Sequence, residues 1–542
     1  MHKTIRFGDF SPHIALVGPM GAGKSRVGVM LAQNLHIPFV DLDSQIEIRL
    51  GQQIAAYFLK HGEENFRDIE EMCLRDILRT QTPHVIACGG GVVLRENNRI
   101  RLHERAVSIY LRTTVHVLVE RLSAQSERDK RPLLHDGDLH TSIERILADR
   151  ADLYTQANFT VDTDDHHTSH SVENILATMD TSPAMHACVN VDVGAGYDVL
   201  LRETAGAWIA DAIKLRHPGR RLAVITDTTV NAHYGDALLT ILHDAGFSVT
   251  RYIVEPGEVS KQWHIAGDLL DALIAEEWTR DDALIAFGGG VVGDLTGFVA
   301  SVLLRGIPFF QIPTTTLACV DSSVGGKTGV NSPHGKNLIG SFYQPKGVLI
   351  ALSYLHTQEK IAHAAGLAEA LKIAFTLDEN LFLDIEKSAP QLLTYDSASI
   401  LSVLIRAIAL KADIVRNDER EQGRRAILNY GHTIGHAIES GQHFRLLHGV
   451  AVALGMVAEA EWAKKQSGGD APYSALCKAL RALDLPIDWR SYDLDLNALN
   501  MDKKRSGKTV RMPVVTSLGS CVLQSVALDD VRTFVQQEHG KI

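Results

Sequence analysis

Residues 18–25 form the most specific chemical motif in the chain. They read Gly-Pro-Met-Gly-Ala-Gly-Lys-Ser, which fits the Walker A pattern, and the apolar residues 14–17 before them predict a strand. Backbone N–H groups of such a loop surround phosphate oxygens, while the lysine reaches the β- and γ-phosphates and the serine hydroxyl binds Mg²⁺. The motif therefore predicts a nucleoside triphosphate site. Its predicted residues are Gly21, Ala22, Gly23, Lys24 and Ser25.

A second group of residues has the chemistry of a metal site. His432 and His436 share one face of a predicted helix, His448 follows, and Glu369 lies upstream with Lys372 almost one turn later. Two imidazoles, one carboxylate and an open position are typical of catalytic zinc. A single histidine of this kind would more often be an ordinary packed or exposed side chain. Three of them among apolar residues and glycines favour a metal.

Charged residues near the first motif suggest where an acceptor would bind. Asp41 and Asp43 follow the second predicted strand, at the sheet edge where α/β proteins bind ligands. Arg67, a glycine turn at residues 89–91 and a basic loop at residues 128–134 come later. Each has an ordinary explanation when taken separately: a cap, a surface arginine, a tight turn or a solvated loop. The prediction of an acceptor site rests on the order of these residues along the chain.

The second half contains candidates for a dinucleotide site. A predicted strand opens into three glycines at residues 288–290, which could hold a pyrophosphate, although this pattern alone is weak evidence. Asp227 ends an earlier strand, where a carboxylate can meet a ribose hydroxyl, and Glu258 and Lys261 follow the next strand. Cationic and amide side chains interspersed with glycines at residues 305–429 are typical of a site for phosphate and carboxylate groups.

The alternation of strands and helices predicts two α/β regions with parallel sheets. A polar segment at residues 162–170, a predicted helix at residues 172–179 and a second polar stretch mark the boundary between them. Beyond residue 361 the pattern is mostly helical. The predicted organisation is a P-loop domain with three α/β/α layers (1–170), a linker (171–190), an α/β nucleotide-binding subdomain (191–360) and an all-helical metal-binding subdomain (361–542).

Composition excludes several classes of protein. The chain has 542 residues, 45% of them hydrophobic, with 54 basic against 65 acidic residues and a net charge of −11. These are ordinary globular values that exclude a disordered, collagenous or coiled-coil chain. Without a basic surplus or an apolar run near the ~20 residues of a spanning helix, we expect neither nucleic acid nor membrane partners. Six scattered cysteines, and an N-terminus without a signal-peptide core, predict reduced thiols and a cytoplasmic location.

Over residues 14–161, the motifs and their order resemble shikimate kinase. The resemblance implies that ATP with Mg²⁺ phosphorylates shikimate, with Asp41 and Ser25 at the ion and Arg131, together with Lys24, stabilising charge on the phosphoryl group. It implies that shikimate is held by Asp43, Arg67, Gly89, Gly90, Gly91 and Arg150. Arg67 is the discriminating residue, because a kinase acting on a neutral sugar has no need of it.

From about residue 191 onward, the sequence resembles 3-dehydroquinate synthase. The resemblance implies that Glu369, His432 and His448 bind Zn²⁺ (or Co²⁺), and that a ring alcohol of a heptulosonate phosphate is transiently oxidised by NAD⁺ before phosphate leaves. The implied NAD⁺ site is Asp227, Glu258, Lys261, Gly289, Gly290, Val291, Asp294, Thr314 and Thr315. The implied substrate residues are Arg305, Asp321, Lys327, Lys336, Asn337, Lys372, Lys411, Arg425, Asn429 and His436, with catalytic roles for Lys327, Lys372, Arg425 and His436.

The resemblance also implies a homodimer formed through the synthase half, and it extends to Asp502-Lys503-Lys504 and Arg511. One departure concerns Val450, which stands where the family commonly has an acidic residue after His-Gly, so a contact behind His448 is in question. Lys130 stands where an arginine is usual.

Two alternatives remain open at this stage. A small-metabolite kinase joined to a polyol dehydrogenase would accumulate NADH, whereas a synthase returns its hydride. Alternatively, one half could be a regulatory nucleotide-binding module without turnover. The cationic cluster and the complete motifs in both halves disfavour these alternatives. We expect no direct channel between the two sites, because two reactions separate the synthase product from the kinase substrate.

Overall fold

The computed structural model describes residues 12–80, 82–123, 138–164, 167–181, 186–467, 469–496, 505–506 and 509–539. Contacts along the chain divide it into two compact units, Met1–Cys188 and Val189–Ile542. Among the described helices, none combines the length and apolar character that crossing a membrane requires.

The first unit is built on a parallel five-stranded sheet in the order β2-β3-β1-β4-β5. Along β1, Ala15 and Val17 pack into one apolar cluster, while Ile14 and Leu16 pack into another. Because neighbouring side chains of a strand point to opposite faces, this alternation requires helices on both sides of the sheet. The predicted three-layer architecture is confirmed. The strands are β1 His13–Val17, β2 Phe39–Asp41, β3 Val85–Ala87, β4 Ala106–Arg112 and β5 Phe159–Asp162, and the helices are Lys24–Leu35, Leu42–Leu50, Ile54–Leu78, Glu96–Arg105, Val115–Leu122, Leu139–Tyr154 and Thr168–Thr181.

The last of these helices lies largely within the predicted linker. Its Val172 and Ile175 are buried against β1 and the helix Lys24–Leu35. The helix is therefore part of the first unit, and strand His186–Val191 at the other end of the predicted linker joins the sheet of the second unit. The segment packs instead of forming a linker because it carries apolar side chains, which an unpacked linker would leave exposed to water.

The second unit begins with a seven-stranded sheet in the order β6-β7-β14-β11-β10-β8-β9, parallel from β7 to β9. An antiparallel hairpin, β12-β13, accompanies it. The strands are β6 His186–Val191, β7 Tyr197–Arg202, β8 Arg221–Asp227, β9 Ser248–Val254, β10 Ala283–Gly288, β11 Phe309–Pro313, β12 Lys327–Ser332, β13 Gly335–Phe342 and β14 Gly347–Ala351, with helices Trp208–Arg216, Asp236–Asp244, Trp263–Ala275 and Gly290–Val302.

The remainder of this unit is mostly helical, as predicted, with one correction: it also contains an antiparallel sheet of three strands in the order β15-β16-β17. Alternating exposure along β17 and a tight turn at Gly519 are the strand signals that the helical interpretation missed. The helices are Lys360–Leu377, Glu379–Leu393, Ser397–Asn417, His432–Gly441, His448–Ser467, Ala471–Ala482 and Leu528–His539, and the strands are β15 Arg505–Ser506, β16 Thr509–Ser517 and β17 Ser520–Ala527.

Candidate active sites

The predicted phosphate loop connects β1 to the helix Lys24–Leu35. Gly21 and Gly23 have φ of +84° and +90°, a backbone region that glycine enters without strain. Lys24 Nζ donates to the carbonyl oxygens of Gly18 and Pro19, each at 2.8 Å, and so closes the loop over its own backbone. The backbone N–H groups of the loop and of the helix N-terminus together suit a polyphosphate.

The two residues predicted to hold Mg²⁺ are in direct contact. Ser25 Oγ donates to Asp41 Oδ2 at 2.6 Å. Asp41 Oδ1 caps the helix Leu42–Leu50 by accepting from the N–H groups of Asp43 and Ser44 at 3.1 and 3.3 Å. One carboxylate oxygen is thus fixed by the helix and the other is next to a hydroxyl, which is the hard oxygen chemistry that Mg²⁺ prefers.

The glycine turn after β3 lies against the residues predicted to hold the acceptor. A Cβ at Gly89 would lie 2.8 Å from Asp43 Oδ1, and a Cβ at Gly91 would collide with the guanidinium of Arg67. Arg150 Nη1 donates to the carbonyl of Gly90 at 3.2 Å. A Cβ at Gly90 would lie 3.3 Å from the backbone nitrogen of Met20 in the phosphate loop. The fold therefore brings the predicted acceptor residues together, next to the phosphate loop.

Arg67 is held by two carboxylates of its own helix. Its Nη1 lies 2.8 Å from Glu70 Oε2, and its Nη2 lies 2.8 Å from Glu63 Oε1. Burial raises the pKa of Glu70, against the lowering influence of Arg67. Burial alone would lower the pKa of Arg67, but Glu70 and Glu63 raise it, so the guanidinium stays charged. Sequence reasoning missed Glu70, although its position three residues after Arg67 on a helix is a usable signal.

Some predicted residues lie outside the described part of the chain. These are Arg131 and Lys130 of the basic loop, and Asp502-Lys503-Lys504 near the C-terminus. Arg511 is described, and its Nη1 donates to the carbonyl of Gln422 at 3.3 Å.

The predicted metal ligands converge in the helical part of the second unit. Glu369 comes from the helix Lys360–Leu377, His432 begins the helix His432–Gly441, and His448 begins the helix His448–Ser467. Glu369 Oε1 lies 4.0 Å from His432 Nε2 and 3.6 Å from His448 Nε2. Ligand atoms of all three residues lie within 4.8 Å of one another, a spacing over which one ion can bind them.

The donor groups fit a divalent cation such as Zn²⁺ or Co²⁺. Glu369 is completely buried; its Oε2 contacts Lys372, whereas its Oε1 accepts no hydrogen bond from the described residues. A buried carboxylate oxygen without a hydrogen bond is costly, and an ion would compensate it. His432 Nδ1 faces the carbonyl of Tyr430 at 3.2 Å and His448 Nδ1 faces Glu439 Oε2 at 3.5 Å. Both contacts favour a proton on Nδ1, leaving the Nε2 lone pairs toward Glu369.

A buried glutamate that the sequence analysis did not single out fixes the helix of His432. Glu459 Oε2 accepts from Gly431 N at 2.8 Å, and its Oε1 accepts from the N–H groups of Thr433 and Ile434 at 3.1 and 3.4 Å. It therefore caps the helix from a position 25 residues or more away in sequence. A negative charge is favourable at a helix N-terminus. No local spacing pattern reveals this contact.

Glycines allow the two histidine helices to pack closely, as the sequence suggested. A Cβ at Gly455 would collide with the carbonyl of Gly431, and one at Gly435 would lie 2.9 Å from the carbonyl of Ala451. This close approach places His432 and His448 with their ring centroids 5.3 Å apart. The exposed His436 lies beside them, with its ring centroid 5.2 Å from that of His432.

Val450 carries no side chain that could contact His448 through a hydrogen bond, and it is buried among apolar residues. The carboxylate behind His448 belongs instead to Glu439. Burial would raise the pKa of Glu439, but the hydrogen bond and charge of His448, together with Lys336, hold it at about 2. The departure at Val450 therefore does not leave His448 without an acidic partner.

Predicted substrate residues surround the metal ligands. Lys372 pairs with Glu369, and Lys411 pairs with Asp321. Burial alone would raise the pKa of Asp321, but the charges of Lys411 and Lys372 keep it well below its ordinary value. Burial likewise disfavours the charged form of Lys372, yet Glu369 and Asp321 raise its pKa. The cluster therefore consists of compensated charges that have been taken out of water.

Glu421 is a further site residue that sequence reasoning missed. Its carboxylate contacts both Lys327 and Asn429. The neighbouring Arg425 is buried, contacts the carbonyl of Glu419, and donates to that of Gly325 at 3.3 Å. Asp418 holds the connecting loop by accepting from three of its backbone N–H groups.

The predicted dinucleotide residues lie where β10 and β11 end. Gly289 precedes the helix Gly290–Val302, whose first residues include Val291, and the N–H of Thr314 donates to the carbonyl of Gly288 at 3.0 Å. A Cβ at Gly289 would lie 3.2 Å from Thr315 Cγ2, so the loop and the threonines are adjacent. Within the described residues, the buried Thr314 hydroxyl has no hydrogen-bond partner, which suits a ligand contact.

Acidic and basic residues border this strand edge. Lys261 Nζ lies 2.6 Å from Asp294 Oδ2, and burial raises the pKa of Asp294 despite this pair. Asp227 ends β8, and its Oδ1 accepts from the N–H of Val230 at 2.9 Å.

The hairpin β12-β13 extends this border. Lys336 Nζ lies 3.5 Å from Glu258 Oε1 and 2.9 Å from Glu439 Oε1. The N–H of Asn337 donates to Asn331 Oδ1 at 3.0 Å. Arg305 is not placed among these residues: it is exposed, has φ of +67°, and lines a surface depression with Trp278, Thr279, Arg280 and Leu304. Its assignment to the substrate stays a prediction.

The fold and the geometry define a P-loop unit followed by a unit with a candidate nucleotide site at a strand edge and a candidate Glu/His/His metal site. The family model for shikimate kinase matches residues 20–180, and those for the N-terminal and C-terminal parts of 3-dehydroquinate synthase match residues 251–364 and 366–505.

Three similar proteins are synthases, in agreement with the family models that match the second unit. A 3-dehydroquinate synthase from Nostoc sp. is 38% identical over 365 residues, which cover 65% of this chain and 100% of that protein. Another from Geobacter metallireducens is 46% identical over 272 residues, covering 50% of this chain and 76% of its own. A solved 2-epi-5-epi-valiolone synthase from Streptomyces hygroscopicus, with NAD⁺ and Zn²⁺ bound, has a TM-score of 0.58 at 25% identity and covers 65% of this chain and 98% of its own. The chain belongs to the 3-dehydroquinate synthase family and carries a shikimate kinase domain before the synthase.

Proposed function

We propose that both units turn over, with the residue roles set out below. The first unit would transfer the γ-phosphoryl group of ATP to shikimate. The second would convert the heptulosonate phosphate into 3-dehydroquinate and release phosphate. The convergence of Glu369, His432 and His448 beside a buried cationic cluster is the single observation that supports the second activity most strongly.

In the kinase unit, Lys24 and the phosphate loop would hold the triphosphate, and Ser25 with Asp41 would hold Mg²⁺. Arg67 would orient the shikimate carboxylate, because its guanidinium fork is aimed across Gly91, and Asp43 would accept from a shikimate hydroxyl. We retain Arg131 as the residue that stabilises charge on the phosphoryl group.

In the synthase unit, a bound metal would polarise a substrate oxygen and a bound NAD⁺ would take and return a hydride. The side chains have separate tasks. Lys327, Lys411 and Arg425 would bind the anionic groups of the substrate, and Lys372 would hold a substrate oxygen beside Glu369. His436, exposed at the mouth of the site, would orient the substrate phosphate or relay a proton.

Two assays on the full chain test these proposals. ADP formation would be followed with shikimate as acceptor, and phosphate release would be followed with the heptulosonate phosphate, with and without a chelator. We expect Lys24→Ala to abolish the first activity only and His432→Ala to abolish the second only. The exposed residues Lys60 and His264 provide matched controls as Lys60→Ala and His264→Ala. Sustained NADH accumulation, or chelator-resistant phosphate release, would contradict the synthase assignment.

We also propose that the chain forms a homodimer through the synthase half. Large apolar side chains are exposed on this unit near the helix Trp263–Ala275, among them Val259 and Trp263, with 65% and 57% of their surfaces accessible. Large apolar side chains left exposed on a surface favour association. Light scattering coupled to gel filtration would test it, and a mass of one chain, or a dimer unaffected by Trp263→Glu, would contradict this interface.

A reducing compartment, and hence the cytoplasm, stays our proposal for the location. All six cysteines are free, and Cys73, Cys88, Cys319 and Cys477 are buried. Buried thiols without disulfides are common in reduced compartments. Fractionation of the native host, followed by immunodetection, would test this location.

A further inference from the structure

Glu439 lies at the end of the motif that carries His432 and His436, and none of the roles above uses it. It is buried, on the helix His432–Gly441, and its two oxygens have different partners. Oε2 lies 3.5 Å from His448 Nδ1, and Oε1 lies 2.9 Å from Lys336 Nζ. The carboxylate is thus fixed at both ends while it faces the side of His448 that points away from Glu369.

We infer that Glu439 is a positioning residue that holds the imidazole of His448 with its proton on Nδ1 and its Nε2 toward the metal. This inference rests on the proposed metal site. A carboxylate that accepts from the second nitrogen of a ligating histidine fixes the ring orientation and increases its basicity. His448 depends on Glu439 for this contact, because Val450, two residues after His448, has no acidic group.

Lys336 explains why Glu439 remains in place. Its ammonium lies between Glu439 and Glu258, and it lies 4.4 Å from the ring centroid of Phe444. A charge-assisted contact orients the carboxylate more firmly than solvent would. The same hairpin lysine therefore supports the acidic partner of a metal ligand.

A different role for Glu439 is geometrically conceivable, since ligand atoms of His436, Glu439 and His448 also lie within 4.8 Å of one another. Glu439 would then be a ligand of a second ion. The contact with Lys336 argues against this role, because an ammonium at 2.9 Å already occupies one carboxylate oxygen and would repel a second cation. The Nδ1 of His448 cannot both donate to Glu439 and bind an ion.

The test measures metal binding directly. Full-length protein freed of metal would be titrated with Zn²⁺ against a chromophoric chelator, and with Co²⁺ while visible absorption is recorded. We expect Glu439→Gln to bind one equivalent per chain with a Kd raised 10- to 100-fold and an altered Co²⁺ spectrum. Glu379→Gln, which removes the same charge at an exposed site of the same unit, should match wild type.

Several results would overturn the inference. One is a Kd for Glu439→Gln within twofold of wild type, and another is two equivalents in wild type that fall to one in the variant. Wild type that binds no divalent cation would overturn the proposed metal site and the inference with it. If Glu439→Gln does not fold, as thermal unfolding of the metal-free protein would show, ¹⁵N-histidine spectra of Zn²⁺-loaded wild type decide. Metal on Nδ1 of His448 would contradict the inference, and metal on Nε2 with a protonated Nδ1 would support it.

Discussion

Lys372 and Glu369 form an ion pair that is almost completely removed from water, with 2% and 0% of their side-chain surfaces exposed. The two residues lie three positions apart on the helix Lys360–Leu377. Lys372 contacts Oε2 of the carboxylate, while the two histidine nitrogens lie nearest to Oε1. One carboxylate therefore compensates a lysine on one side and is available for a metal on the other.

This arrangement predicts opposite effects of Lys372→Met on stability and on metal affinity. Removing the ammonium leaves a buried carboxylate unpaired, which costs about 3–5 kcal/mol of unfolding free energy in the metal-free protein. The same change removes a cation that repels the ion, so Zn²⁺ should bind more tightly and restore stability. Urea unfolding with and without Zn²⁺ checks both effects. An equal loss of stability in the two conditions would show that the ion and Lys372 do not share the carboxylate.

Arg67→Lys tests the acceptor pocket of the kinase unit. Lysine cannot reproduce the fork that bridges Glu63 and Glu70 and also faces Gly91. Losing charge-assisted hydrogen bonds of about 1.5–3 kcal/mol should raise the KM for shikimate by roughly 10- to 100-fold, with little change in the KM for ATP. Arg75→Lys, which changes a partly exposed arginine on the same helix, is the control. A larger rise in the KM for ATP than in the KM for shikimate would contradict a role of Arg67 in binding shikimate.

Glu459→Gln tests how the His432 helix is fixed. The amide keeps only one accepting oxygen, so its NH2 group would face either the N–H of Gly431 or those of Thr433 and Ile434, which the carboxylate now caps. We expect a loss of about 1–3 kcal/mol of unfolding free energy, together with weaker Zn²⁺ binding because His432 begins this helix. Asp396→Asn provides the comparison, because Asp396 caps the exposed start of the helix Ser397–Asn417. A loss no greater than that of Asp396→Asn, with unchanged Zn²⁺ affinity, would contradict the predicted role.

His13 predicts a pH dependence of stability in the first unit. Burial, followed by the nearby His84, lowers the pKa of His13 to about 4. Its Nδ1 accepts from the N–H of His84 at 3.2 Å, so the folded state requires the neutral ring. Unfolded chains protonate histidine near pH 6.5, so the unfolded state binds the extra proton and stability falls as the pH drops from about 6.5 to 4. The full effect is about 3 kcal/mol.

Hydrogen exchange of peptides that cover β1, corrected for intrinsic rates, would measure this loss between pH 7.5 and 5. In His13→Asn, an amide oxygen can accept from His84 without titrating, so the pH dependence should flatten. The exposed His116, changed to asparagine, is the control. If His13→Asn keeps the full pH dependence of stability, that dependence comes from another titratable group.

The sequence was most informative where chemistry depends on neighbouring residues. The phosphate loop needs glycines at fixed offsets because its backbone has positive φ, and His432 and His436 share a helix face because of the helical repeat. Alternating strands and helices were likewise sufficient to predict both parallel sheets. The antiparallel strands β15 to β17 were missed because the helical pattern around them dominated.

The amino-acid sequence alone determined the kinds of groups in each site, and the tertiary structure decided which of them work in pairs. Glu439 behind His448, Glu459 beneath His432 and Glu421 between Lys327 and Asn429 all come from separate segments or turns whose approach is set by helix packing. Burial then determines the strength of these contacts, because removing charges from water makes each pairing costly to break. The spacing of residues along the chain predicts neither which of these groups meet nor how deeply they are buried.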